Sequence, residues 1–443
     1  MMMGYLKDMR LKERLSPEIW LEKHFPLKCL IVFLALSLVK SRAFFPQGRF
    51  WAEEGTIFYT NICTAPGLEG LGFLFNNHLE LWTNLGVLLS TLASLERAPA
   101  VSTLYAITLQ FILLATIAAK RHQLGLSKTS ALVILVVAIG MPQSREVWAN
   151  TINLHFHFAI VAALILAIPA TGKGWARLSF LLLLMSGLSG IPANFLVPLF
   201  ILVAIFERNR TRTIQALLLT ATAALQVYLL LHNGYEGDRN LMPRFDVIVL
   251  ASLTHSFFAL IWSPIAGRFA SDLLVPLVQP VGLRETLLGL VFLLASILLV
   301  ARAFGPISNY RLQHREGQRN VRLAAAAAVL LAASITLAMG DRTNLVSSHY
   351  GGRYFFAPNV LVAIILLSLT GTPRRVRKLA ILSLVLSSFA GVPRFYAGPD
   401  WRLSIASMDQ GLQEDQTAIA LDIWPHGWTM QVPLSCVEGD ASP

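Results

Sequence analysis

The feature that most constrains this chain is the recurrence of apolar strings, such as 287–300, 361–369 and 380–386, separated by short basic clusters rather than by polar domains. In lipid only helices and closed barrels satisfy their own backbone polar groups, and a helix needs about 20 apolar residues to cross. Residues are 55% hydrophobic and 14% charged, against roughly 25% charged in an ordinary soluble domain. The pattern therefore predicts an all-α polytopic membrane protein.

Spans are expected near 27–45, 99–119, 128–142, 154–169, 177–190, 192–206, 213–232, 285–304, 323–340, 354–370 and 379–395, eleven in all. The apolar stretch 79–95 is assigned to the interface as a juxtamembrane helix, because counting it as a span would put Lys120, Arg121 and Lys128 outside. With the N-terminus inside, 23 Lys and Arg fall on the cytoplasmic side and 11 on the outer segments from residue 46, while 19 of the 25 acids fall outside. This is the expected bias of a multi-pass membrane protein with its N-terminus inside, and the compactness and loop style of the chain point to a bacterial inner membrane. The net charge of +11 is dispersed between spans, so it reports topology and calls for no nucleic-acid partner.

The chain divides into a cytoplasmic segment 1–26, a membrane domain 27–395 containing the first outer loop 46–98, and a small periplasmic C-terminal module 396–443. In that module Trp401, Ile405, Met408 and Leu412 recur at helical spacing, and Ile419, Leu421 and Ile423 alternate as in a strand. Pro425, His426 and Gly427 then turn the chain toward a second strand around residues 430–432, giving a helix plus hairpin. The segment 233–284 reads as interfacial or re-entrant helices. Cytoplasmic loops are short and carry no phosphate-binding glycine loop, so an ATP-driven pump is not expected. Three cysteines exclude a disulfide framework, but Cys63 and Cys436 both fall outside, where a bridge from tail to first loop is open to them.

Chemistry is expected on the outer face. The first outer loop opens with aromatics around the adjacent acids Glu53 and Glu54. A carboxylate desolvated at the edge of hydrocarbon suits a base that takes a proton from a hydroxyl; the alternative is an ordinary solvated loop. If 146–157 runs as one helix, Glu146, Asn150, Asn153 and His157 share a stripe, which is either a site or polar glue between spans. His155 lies off that stripe, so His155 and His157 do not form a metal pair, and no metal ligand is assigned. Two cationic clusters could meet a phosphate: Lys40, Arg42 and Arg49, or His349, Tyr350 and Arg353 beside a Gly-Gly step. Snorkelling to lipid headgroups is the competing role for the basic ones at span ends.

An acidic pair just after a first span, a juxtamembrane helix, about eleven spans and a small outer C-terminal module resemble the GT-C superfamily of membrane glycosyltransferases. The resemblance covers the architecture of the whole chain, but among motifs only Glu53-Glu54; the superfamily's signature is usually Asp-Asp, Asp-Glu or Glu-Asp. It implies transfer, with inversion, of a sugar from a polyprenyl-phosphate or diphosphate carrier to a glycan, lipid or protein acceptor on the periplasmic side. One of the two glutamates would act on the acceptor hydroxyl, and Glu146 would hold the place of a second acid. No cofactor is required by the pattern, although a divalent cation is compatible with it. The rivals are a transporter or flippase of a lipid-linked glycan or other amphiphile, whose polar residues line a path, and a non-catalytic envelope assembly protein.

Overall fold

The computed structural model describes residues 25–65, 67–233, 244–278, 313–338, 342–369, 373–391, 398–411 and 417–438. The expected cytoplasmic segment up to residue 24, the span over 285–304 and the charged stretch 235–239 lie outside the described residues. What is described is mostly helical, with two short antiparallel hairpins. Among the described residues, four helices are long and apolar enough to cross a membrane: Ala98–Ala119, Arg210–His232, Phe245–Trp262 and Glu316–Thr336.

The helices that position the site are α1 (Phe25–Ser41), α2 (Leu81–Thr91), α3 (Ala98–Ala119), α4 (Lys128–Gly140), α5 (Leu154–Ala167), α6 (Lys173–Gly187), α7 (Val197–Glu207) and α8 (Arg210–His232). They are followed by α9 (Phe245–Trp262), α10 (Pro264–Leu274), α11 (Gln313–Thr336), α12 (Gly352–Ser368), α13 (Arg374–Gly391) and α14 (Trp401–Gly411). α5 is the axis of the molecule: it is apolar on every side, as a helix surrounded by others must be, and it packs on α3, α6, α11 and α12. α2, with 11 residues, is too short to span a bilayer, as its interfacial assignment requires.

The segment expected to be interfacial or re-entrant is more regular than that. α9 has the length and apolarity to cross, and its last ten residues are π-helical; Ser263 then turns the chain and caps α10, which folds back along α9. The predicted tail is a helix and a hairpin, α14 followed by β3 (Ala418–Ile423) and β4 (Trp428–Pro433) in antiparallel register. Ile419, Leu421 and Ile423 face inward. A disulfide joins Cys63 to Cys436, tying this tail to the first loop.

Candidate functional site: a small charged cavity at one end of the bundle

The first loop turns under the tail before it reaches its two glutamates. Trp424 donates its backbone N–H to Phe50 O at 3.1 Å and accepts from the Ala52 N–H, so Trp51 and Trp424 pair as a short parallel bridge. Gly48, at φ +77°, lets this loop lie against the backbone of Pro99 at the start of α3, where a Cβ would collide. Arg49 packs its guanidinium against the rings of Phe44, Trp51 and Trp424 at 4.4, 4.5 and 5.2 Å and donates to Trp148 O at 2.6 Å. Burial lowers its pKa to about 9.

Ala52 sits at φ +44°, and this kink sends the two consecutive carboxylates to different places. Glu54 is fully buried and accepts four hydrogen bonds: from Trp51 N at 3.0 Å, Ser102 Oγ at 2.6 Å, Thr151 N at 2.9 Å and Thr151 Oγ1 at 2.6 Å. Burial pushes its carboxyl above the usual range, and the four donors pull it part of the way back. Glu54 is thus a knot between the first loop, α3 and the turn before α5. Glu53 instead lines a cavity, with Oε2 buried and without a hydrogen-bond partner among the described residues.

That cavity encloses about 120 Å³. Sites that enclose a whole small molecule usually measure roughly 300–1,000 Å³, so this one has room for the reacting end of a larger ligand. Its walls come from the first loop, the hairpin of β1 (Leu74–Phe75) and β2 (His78–Leu79), the N-terminal turn of α5, residues 191–195, the end of α11 and the start of α12. Arg353 lines it from α12, 3.8 Å from Glu146 in an ion pair and 3.3 Å from the Tyr354 hydroxyl, to which its Nη2 donates.

The structure sorts the residues expected from the sequence. Glu53, Asn153 and Arg353 line the cavity, and Glu146 stands behind Arg353. His349 and Tyr350 are exposed and do not line it. Neither Lys40 nor Arg42 lines it: Arg42 is exposed, and Lys40 is neither snorkelling nor at the site. It is 2% exposed and its ammonium caps the end of α4, donating to Ile139 O and to Ser144 Oγ at 2.6 Å. Arg49 serves the aromatic clamp described above.

The single helical stripe does not form. A short helix, Ser144–Val147, ends at Trp148, and Ala149 adopts φ +55°. Asn150 Nδ2 donates to Glu146 O at 2.7 Å, as does Asn153 Nδ2 at 2.9 Å, so the asparagines cap a turn instead of facing a path. Asparagine side chains compete with helical bonding in this way. His157 is 1% exposed and packs on Phe356, ring centroids 4.7 Å apart, away from the cavity.

Sequence reasoning missed three residues on the cavity wall: His78, Glu80 and His155. His78 closes the hairpin of β1 (Leu74–Phe75) and β2 (His78–Leu79), whose turn, Asn76-Asn77, has φ +48° and +60°. Two asparagines flanked by apolar residues are a legible signal for such a two-residue turn. Glu80, 2% exposed, holds His78 Nε2 at 3.2 Å and His155 Nδ1 at 3.4 Å on one oxygen, and accepts from Thr83 Oγ1 at 2.9 Å on the other. Burial raises its pKa, but the two imidazoles outweigh that and hold it at about 2. Gly190, at φ +94°, lies beside both: a Cβ there would meet Glu80 and His155 at van der Waals distance. Among the described residues, no group of three or more His, Cys, Asp or Glu side chains is arranged to hold a metal ion.

A second cavity, of about 660 Å³, lies at the opposite end of α5 and α11 and shares no lining residue with the first. Phe156 lines one and Ala167 the other, which is about 16 Å along a helix axis. Between them, α5 from Phe158 to Leu166 is apolar and wholly buried. No protein-family model matches the chain, and comparisons with curated proteins and with solved structures returned no match either.

Proposed function

We propose that the chain is a GT-C-like membrane glycosyltransferase of about eleven spans. It transfers a sugar from a polyprenyl-phosphate or diphosphate carrier to an acceptor hydroxyl on the periplasmic side of a bacterial inner membrane. The observation that carries this reading is one small cavity with Glu53, its Oε2 without a hydrogen-bond partner among the described residues, on one wall and Arg353 on another.

In this reaction the acceptor oxygen attacks the anomeric carbon while its proton passes to the Glu53 carboxylate. The bond from that carbon to the phosphate oxygen breaks, and the electron pair leaves on the carrier phosphate. Arg353, fixed by Glu146 and Tyr354, offers guanidinium N–H groups to the charge that develops there. Glu54 keeps the loop folded. The size of the cavity favours a ligand whose head enters while its chain stays in lipid. The buried apolar length of α5 between the two cavities favours a transferase over a transporter or flippase, which needs a path from face to face.

The test is release of labelled sugar from polyprenyl-phosphate and diphosphate donors by purified protein in lipid nanodiscs. Wild type is expected to turn over a donor, and Glu53→Gln to lose about 10²–10⁴ of that rate, the usual worth of a positioned base. Full activity of Glu53→Gln overturns the assignment of the base, and facing-leaflet movement of an intact lipid donor without turnover overturns the reaction.

A further inference from the structure

The transfer step above leaves unused the most tightly built group on the cavity wall. Glu80 is a carboxylate buried among helices, and a charge there is stable only beside a compensating cation. Among the described residues, the titratable groups in contact with it are the two imidazoles, while Thr83 donates to its other oxygen. His78 faces acceptors with both ring nitrogens, Asn76 O at 3.3 Å and Glu80 Oε1 at 3.2 Å.

His155 is placed differently. Its Nδ1 lies at ion-pair distance from the same Glu80 oxygen, 3.4 Å, without a hydrogen bond in this geometry, and its ring is steadied against Phe156 with centroids 4.3 Å apart. The side chain is 15% exposed and lines the cavity, so Nε2 is the nitrogen left for a ligand. A carboxylate beside one nitrogen orients an imidazole and leaves the other to the ligand, where it donates once the ring carries its second proton. The charged or titratable groups around this ring are Glu80, His78 and His157, with Glu53, Arg353 and Tyr354 on the other walls.

We infer that His155, positioned by Glu80, is a second phosphate contact: it takes up a proton when the carrier phosphate enters and donates an Nε2 hydrogen bond to it. The cavity therefore recognises a singly charged phosphodiester head in a pH-dependent way, with Arg353 supplying the part that does not depend on pH. The inference rests on the transferase reading only for the identity of the anion as a lipid-carrier phosphate.

The test needs neither the sugar nor turnover. The probe is the methyl ester of a short polyprenyl phosphate, a phosphodiester that does not itself titrate near neutrality, bound to wild-type protein in nanodiscs at pH 5.5 and 8.5. Affinity is expected to be about tenfold higher at the lower pH, the worth of one added charge-assisted hydrogen bond. His155→Asn should bind with the weaker affinity at both values, Glu80→Gln should shrink the ratio, and Arg353→Gln should weaken binding at both while keeping it. Wild-type affinity independent of pH, no binding of the diester, or a ratio that survives in His155→Asn overturns the inference. Sugar transfer that fails in Glu53→Gln stands whatever these affinities are, so the two readings fail separately.

Discussion

The two ends of the bundle handle charge in opposite ways. At the end lined by Arg319 and Arg322, Glu207 bridges Arg212 at 2.9 Å and Arg322 at 2.6 Å, and Arg212 also donates to Ile165 O at 2.8 Å and Ile168 O at 2.7 Å, closing the C-terminus of α5. Charges there spend most of their bonding on each other and on an otherwise bare helix end, with Arg322 Nε buried and without a hydrogen-bond partner among the described residues. At the other end Glu53 keeps an oxygen without a hydrogen-bond partner among the described residues, and His155 lines the same cavity. Buried polar groups are as a rule satisfied, so an unsatisfied carboxylate oxygen in a cleft points to a site, whereas charges paired mostly with one another point to scaffold.

The ends are also fastened differently, one by a disulfide and a tryptophan clamp, the other by ion pairs, and this can be broken selectively. The largest effect is expected from Cys436→Ser, which frees the tail from the first loop: about 2–4 kcal/mol of stability, read by denaturation, with turnover falling because Trp424 no longer holds the Glu53 turn. Retained turnover after loss of the bridge would separate the clamp from the site. Next comes Arg353→Gln, with kcat/KM for a lipid-phosphate donor down about tenfold or more and thermal stability little changed. Glu207→Gln should do the reverse, costing about 1 kcal/mol in stability for a partly exposed shared carboxylate while leaving turnover alone. The smallest effect belongs to His349→Ala and Tyr350→Ala: both side chains are exposed, so stability and turnover should match wild type.

Much of the scaffold was legible because apolar length and alternation act locally. The ends of α3, α8 and α12 fall within three residues of the apolar pattern, and the alternation over 418–423 marks a real strand. The site was legible only in part. Glu53 and Glu54 are chemically identical and adjacent, and what separates them is the backbone of Ala52 pinned by Trp424, more than 370 residues away. His155 was set aside by helical spacing from Glu146, but that spacing assumed a continuous helix, and Asn150 breaks it by capturing backbone carbonyls. Glu80 carries no local signal at all; its role comes from two histidines that the fold brings to one oxygen.

The division of labour between the adjacent glutamates can be tested in a single paired experiment: donor turnover and thermal midpoint measured together in nanodiscs for Glu53→Gln and Glu54→Gln. Glu53→Gln should lose turnover by about 10²–10⁴ with an unchanged midpoint. Glu54→Gln puts an amide donor among four donors, so it should lose about 1–3 kcal/mol of stability, and the fraction that stays folded should still turn over. The opposite assignment, with Glu54→Gln inactive at full stability and Glu53→Gln active, would contradict the site described for this protein.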